Sequence, residues 1–284
     1  MSLDSLFAQF CKEKRYLQNA AENTIYFYSL CYTAWKQTMQ DSPVNKLAIN
    51  QFVIGMREAG RSPATCDAYI RGFNVFLSWL HENGQVDEKL TIKRLKLEKR
   101  VMKTFSEAQL RAVINYKPKD FYEHRTHTMI MTSIDTGARV DELLTLRRDK
   151  IDLENLLITL QGKGNKQRVV PMSFELRKIL YKFLKRHTFP LIFCTKDGGK
   201  LLYDNTRRNF HTLLASAGVE KVDGSWHSLR RTFATNYIKE NGNPLKLQRI
   251  LGHTTLRQTN EYVKLVTEDL QEDSHRTSIL NRLR

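Results

Sequence analysis

Residues 156–170 read LLITLQGKGNKQRVV. Two β-prone runs, 156–160 and 168–170, flank Gln161-Gly162-Lys163-Gly164-Asn165, whose glycines and asparagine suit a tight turn. The pattern predicts a hairpin with Lys163 at or beside its tip. The sequence on both sides is helical in character. Apolar spacing predicts helices over 174–186, 205–216, 229–241 and 244–251, and upstream Ser106 with Gln109 makes a capping box that opens another. One small sheet set among helices makes this half of the chain mainly α.

The first hundred residues predict helices throughout. Leu3, Leu6, Phe7 and Phe10 recur on one face, as do Ile25, Tyr28, Tyr32 and Trp35, and a third helix covers 47–59. A fourth has clear ends, since Ser62 can cap it, Pro63 suits its first turn and Gly84 follows it. Its stripe of Tyr69, Phe73, Phe76, Leu77 and Leu80 predicts a buried face rather than a platform for stacked bases. Between Lys89 and Lys103 the chain carries Lys93, Arg94, Lys96, Lys99 and Arg100 with little apolar periodicity, which predicts a basic linker able to track phosphates. The expected organisation is a helical domain over 1–88, a linker over 89–103 and a second domain over 104–284.

Composition narrows the partner. The 284 residues hold 46 Lys and Arg against 30 Asp and Glu, a formal net charge of +16. Neutralising a polyanion releases its counterions, so this balance favours nucleic acid. Cys11, Cys31, Cys66 and Cys194 form no Cys-x-x-Cys pair, which argues against a zinc site or a disulfide framework. Met1-Ser2-Leu3-Asp4-Ser5 lacks the pattern of a leader, and no stretch reaches membrane-spanning length. The expectation is a cytoplasmic protein with no membrane partner, no metal and no other cofactor.

Four segments carry side chains suited to a phosphodiester. They are Gly137-Ala138-Arg139-Val140-Asp141-Glu142-Leu143, Gly162-Lys163-Gly164-Asn165-Lys166, His227-Ser228-Leu229-Arg230 and Leu251-Gly252-His253, the last followed by Tyr262. Metal-free attack on a charged phosphate needs fixed cations around its non-bridging oxygens and a nucleophile that can stay attached. Arg139 falls at a predicted helix start, where Glu142 can orient its guanidinium; His227 and Arg230 share one side of another helix start. A phenol ordinarily ionises near pH 10, so a tyrosine nucleophile needs a base or cations to stabilise the phenolate. Each piece alone has an ordinary reading. Arg139 with Glu142 could be a surface ion pair, His227 beside Trp226 a structural histidine, Tyr262 a half-buried aromatic and the hairpin tip a mobile basic loop.

The ordered set resembles the tyrosine recombinase (phage integrase) family and fills every catalytic position of its pattern. Arg139 to Lys163 spans 24 residues, Arg230 to His253 spans 23 and His253 to Tyr262 spans 9, close to the simple bacterial members. Arg231 and Asn236 stand where the family often has histidine, outside the catalytic set. The resemblance implies an integrase-like fold, with an N-terminal SAM-like core-binding domain and a C-terminal, mostly helical catalytic domain bearing a small β-sheet. It implies that Tyr262 is the nucleophile and Lys163 the general acid, with Lys166 and Arg168 as DNA-backbone contacts. Four protomers would then exchange strands between two duplex core sites through a Holliday junction, and Thr267, Leu270, Ile279 and Leu280 would dock on a neighbour or on their own domain. With no room for another domain ahead of Leu3, the organisation resembles a Tn3-type transposon cointegrate resolvase. A chromosome-dimer resolvase and an integron-type integrase are alternatives within the family. From other classes stand a type IB topoisomerase-like enzyme and a non-catalytic DNA-binding protein on the same scaffold.

Overall fold

The computed structural model describes residues 2–39, 43–98, 103–162, 166–219 and 225–266, with the side chains of 264–266 left out. Lys99, Arg100, Lys163, Thr267, Leu270, Ile279 and Leu280 lie outside the described residues. The chain divides into two compact units, Met1–Arg100 and Val101–Arg284. Among the described residues no helix is long and apolar enough to cross a membrane.

The first unit is built from α1 (Leu3–Tyr16), α2 (Glu22–Met39), α3 (Lys46–Glu58) and α4 (Pro63–Glu82). The Ser62 hydroxyl accepts the Thr65 N–H at 3.2 Å and Pro63 fills the first turn, so α4 begins where its capping residues dictate. Its stripe turns inward: Phe73, Phe76, Leu77 and Leu80 are buried and Tyr69 is half-buried. Trp35 stacks on Phe73 with ring centroids 4.6 Å apart, and Phe76 receives Phe7 edge-on at 5.2 Å. Truncating one such ring in a close-packed core costs about 3–5 kcal/mol, which identifies this cluster as what holds the four helices together.

The stretch expected as a linker belongs in part to this unit. Leu90 and Ile92 are buried in its core, and the Asn74 carboxamide bonds both the N–H and the C=O of Ile92 at 2.9 Å. Asp67 accepts two bonds from the Arg94 guanidinium and a third from the Leu95 N–H. Residues 89–98 form a non-helical strap whose buried side chains, Leu90 and Ile92, lie two apart, a spacing that carries no helical signal.

The second unit contains α5 (Glu107–Asn115), α6 (Phe121–Thr136), α7 (Val140–Leu144), β1 (Ile151–Asp152), β2 (Leu157–Gln161), β3 (Gln167–Pro171), α8 (Phe174–Leu184), α9 (Tyr203–Ser216), α10 (Trp226–Lys239), α11 (Pro244–Leu251) and α12 (Leu256–Val266). The expected hairpin is β2–β3, antiparallel, with Leu160 opposite Arg168; the two-residue β1 adds a third strand. Ile158, Leu160 and Val170 bury one face of the sheet. The central helix is α6, packed against α8, α9 and α10. Its buried surface includes Thr128, Thr132 and Thr136, whose hydroxyls donate to carbonyls one turn back, so it carries little apolar periodicity. It ends at Gly137, in the left-handed region at φ 65°.

A Cβ on Gly137 would stand 2.5 Å from the Phe233 ring and 2.8 Å from a Leu251 methyl. The left-handed backbone penalty and the overpacking act together, so Gly137→Ala should destabilise the second unit by about 2–4 kcal/mol. Urea unfolding of the intact chain, followed by tryptophan fluorescence in which Trp226 reports the second unit and Trp35 and Trp79 the first, checks this; a second-unit transition with the wild-type midpoint would refute it.

Candidate active site

Three short turns and a strand place the site. Arg139 occupies the N-cap position of α7, two residues after Gly137, and Glu142 follows in the first turn. The Glu142 carboxylate, 2% exposed, accepts the Arg139 N–H at 2.7 Å and Arg139 Nη1 at 3.0 Å. It also takes both terminal nitrogens of Arg168 from β3, Nη2 at 2.8 Å and Nη1 in a still closer contact. Burial works to raise the Glu142 pKa; the bonds and charge of Arg168, and then those of Arg139, outweigh it and hold the carboxyl below its ordinary value.

The second anchor is the C-terminal end of α11. Its last carbonyls carry the negative end of the helix dipole and lack intrahelical partners. Leu251 O accepts Arg230 Nη2 at 2.6 Å and Arg139 Nη1 at 3.3 Å, while Ile250 O accepts Arg168 Nε at 2.6 Å. Arg230 gives its other terminal nitrogen to Gly137 O at 2.7 Å, so one guanidinium joins the ends of α6 and α11. Burial, followed by the charges of Arg139 and Arg168, pushes the Arg230 pKa down to about 9, which still leaves it protonated at neutral pH.

Gly252, at φ 63°, turns the chain out of α11 and presents His253. The His253 ring pairs its Nδ1 with Thr259 Oγ1 at 3.0 Å and lies nearly parallel to the Tyr262 ring, centroids 6.2 Å apart. Tyr262 sits within α12, 8% exposed, in a cluster with Ala234, Leu247 and Leu251. His227 lies in the first turn of α10, one turn before Arg230, because that helix starts three residues earlier than its apolar pattern indicated. Desolvation at this rim, and then the charges of Arg231, Arg230 and Arg139, hold the His227 pKa below its ordinary value.

The fold thus brings Arg139, Glu142, Arg230, His253 and Tyr262 into one connected cluster, with His227 a helical turn from Arg230. Lys166 is exposed at the hairpin end, where its carbonyl accepts the Gly162 N–H at 2.7 Å. Lys93 and Lys96 are exposed on the strap of the first unit, and Arg94 is committed to Asp67. Arg168 departs from its expected role as a DNA-backbone contact. Its side chain is 12% exposed and turned inward against Glu142 and α11. A strand signal pointed that way: Arg168 and Val170 share the face of β3 that Val170 buries completely. The carbonyls of Gly137, Ile250 and Leu251 had no sequence signal, since a backbone acceptor is the same in every residue.

The site has a pH signature. Burial, together with Arg230, Arg139 and Arg168, pushes His253 down to about 4, against about 6.5 for an ordinary histidine. Between those values the unfolded chain binds the proton and the folded chain does not, so stability falls as pH drops through that window. His253→Gln should remove this share of the acid sensitivity. Thermal midpoints of wild type and variant across the window check it, and identical slopes would contradict the assignment.

Comparison with known proteins matches this arrangement to one family. Residues 100–268 match the model of the phage integrase family. The chain is 25% identical to the tyrosine recombinase XerA of Pyrococcus furiosus, over 94% of this chain and 92% of that protein. It is 26% identical to the tyrosine recombinase XerD of Vibrio cholerae, over 94% of each. Among solved structures, the Tn1549 transposon integrase in complex with a circular intermediate DNA superposes with a TM-score of 0.80 at 18% identity, covering 100% of both chains. The XerH recombinase bound to its difH substrate superposes with a TM-score of 0.74 at 20% identity, covering 95% of this chain and 83% of that one. With more than half of the chain inside the family match, the chain belongs to the phage integrase family of tyrosine recombinases, enzymes that cleave and rejoin DNA at specific sites.

Proposed function

We propose that the Tyr262 hydroxyl attacks a backbone phosphate of a duplex core site, forming a 3′-phosphotyrosyl bond as the bond to the 5′ oxygen breaks. Arg139 and Arg230 hold the non-bridging oxygens. His253, uncharged at neutral pH and with Nδ1 on Thr259, offers Nε2 to the same phosphate. His227 takes the phenol proton or bonds the phosphate, and Lys163 protonates the departing 5′ oxygen. A 5′ hydroxyl of the partner strand then attacks the phosphotyrosine and releases Tyr262, so the bond energy is conserved and no ATP is consumed. The observation that carries this reading is the meeting of Arg139 and Arg230 on the Leu251 carbonyl, two residues before His253 and beside Tyr262.

In the same reading the first unit is a core-binding domain, Lys93 and Lys96 contact phosphates, and four protomers act on two sites through a Holliday junction. The substrate is fused circular DNA in the bacterial cytoplasm, in the first instance a transposon cointegrate; the likeness to a transposon integrase along the whole chain supports this. The Xer relatives, matched over 94% of the chain, favour a second reading as a chromosome-dimer resolvase. Mapping the protected DNA decides between them, since the site lies within a transposon in one case and on the chromosome in the other.

Two experiments test the chemistry on a nicked core site recovered by selection from random duplexes. Wild type should become attached to a 3′ phosphate, and Tyr262→Phe should abolish attachment while binding persists; retained attachment would overturn the choice of nucleophile. Lys163→Ala should be slow on ordinary DNA and recover when the 5′-bridging oxygen is sulfur, a leaving group that needs little protonation. Arg139→Ala and Arg230→Ala should remain slow on both substrates. Recovery of Lys166→Ala in place of Lys163→Ala would move the acid by three residues.

A further inference from the structure

Three guanidiniums, those of Arg139, Arg168 and Arg230, gather around one carboxylate, Glu142. The carboxylate is shared unequally. Arg168 holds it through both terminal nitrogens, whereas Arg139 gives its side chain through Nη1 alone and lends that same nitrogen to Leu251 O. Among the described contacts Arg139 Nη2 and Nε are unused, and its side chain is 34% exposed against 12% for Arg168. Arg168 is also fixed from behind, with Nε on Ile250 O at 2.6 Å. The fold leaves space for it: a Cβ on Gly252 would stand 2.9 Å from Arg168 Cδ. These are the contacts of a residue that works on its neighbours, and its two remaining N–H groups are nearly shielded from any DNA.

We propose that Arg168 is a positioning residue for the cleavage reaction: by occupying the Glu142 carboxylate and the end of α11, it keeps Arg139 from being drawn fully onto Glu142 and so leaves that guanidinium for the phosphate. A carboxylate relieved of Arg168 has one strong donor left. The fork of Arg139 would then close on it, and the phosphate would lose a donor at the moment charge builds on its oxygens. Lysine at 168 has neither the planar fork nor the reach to serve Glu142 and Ile250 together, so it substitutes only in part.

This inference rests on the proposed cleavage chemistry, and the test separates the two. Full-length wild type, Arg168→Gln, Arg168→Lys, Glu142→Gln and the Arg168→Gln/Glu142→Gln double variant are compared on the nicked selected site. Single-turnover attachment is followed at saturating protein. Arg168→Gln should slow attachment by about tenfold or more while DNA affinity changes by less than about threefold, with Arg168→Lys between it and wild type. The double variant should be no slower than Arg168→Gln alone, because without the carboxylate nothing draws Arg139 away. Sulfur at the 5′-bridging position should leave Arg168→Gln slow. Wild-type rate in Arg168→Gln, losses that multiply in the double variant, or rescue by sulfur would each overturn the proposal. Should wild type itself fail to attach, the cleavage reading falls instead, and the coupling is decided without DNA: Arg168→Gln should shift acid unfolding to higher pH, and Glu142→Gln should remove that shift. Absence of the shift would sink the coupling on its own.

Discussion

The site is organised by one buried carboxylate and one helix end. Removing an ionised side chain from water without partners costs several kcal/mol, comparable with the net stability of a domain at about 5–15 kcal/mol. Arg230, 4% exposed, and Glu142, 2% exposed, are therefore tolerable only as members of a set. Glu142 supplies one negative charge, and the unpaired carbonyls at the end of α11 supply oriented partial charge. The cluster nonetheless keeps an excess of cations, which is the arrangement that attracts a phosphodiester. Burial first, and then the same excess, depress His253, so a histidine beside the nucleophile stays uncharged at neutral pH.

Two left-handed glycines create that geometry. Gly137 stops α6 and exposes its own carbonyl to Arg230; Gly252 stops α11 and frees Leu251 O for Arg230 and Arg139. Because α6 is the buried centre of the unit and α10 packs along it, the position of Arg230 is set by the core. Strand β3 adds the third side, since its pairing with β2 puts Arg168 on the inward face. Helix ends, a strand and the core thus converge on the same few acceptors, so small displacements of any of them reach Arg139.

The first unit obeys simpler rules. Its stability comes from an aromatic cluster in which Trp35, Phe73 and Phe76 are central, and the strap over residues 89–98 extends that core with Leu90 and Ile92. The strap leaves Lys93 and Lys96 exposed while Asp67 fixes Arg94. Charge on this segment is consequently held by a folded surface rather than by an unstructured connection.

The sequence by itself determined the helices of the first unit, the hairpin, the capping residues Ser62 and Ser106, and the identity of the residues that meet at the site. These are local signals: period, turn chemistry, and a motif order that survives without coordinates. Helix α6 escaped because threonine hydroxyls bonded to its own backbone replace apolar residues on its buried face, and the strap escaped because its core contacts are a single pair, Leu90 and Ile92, off helical spacing. Only the tertiary structure decided that Arg168 turns inward against Glu142 and the end of α11. It also decided that the carbonyls of Gly137, Ile250 and Leu251 hold the three arginines. Those pairings join residues as far as 112 positions apart through backbone acceptors that any residue would provide, so their specificity comes from the packing of α6, α10 and α11.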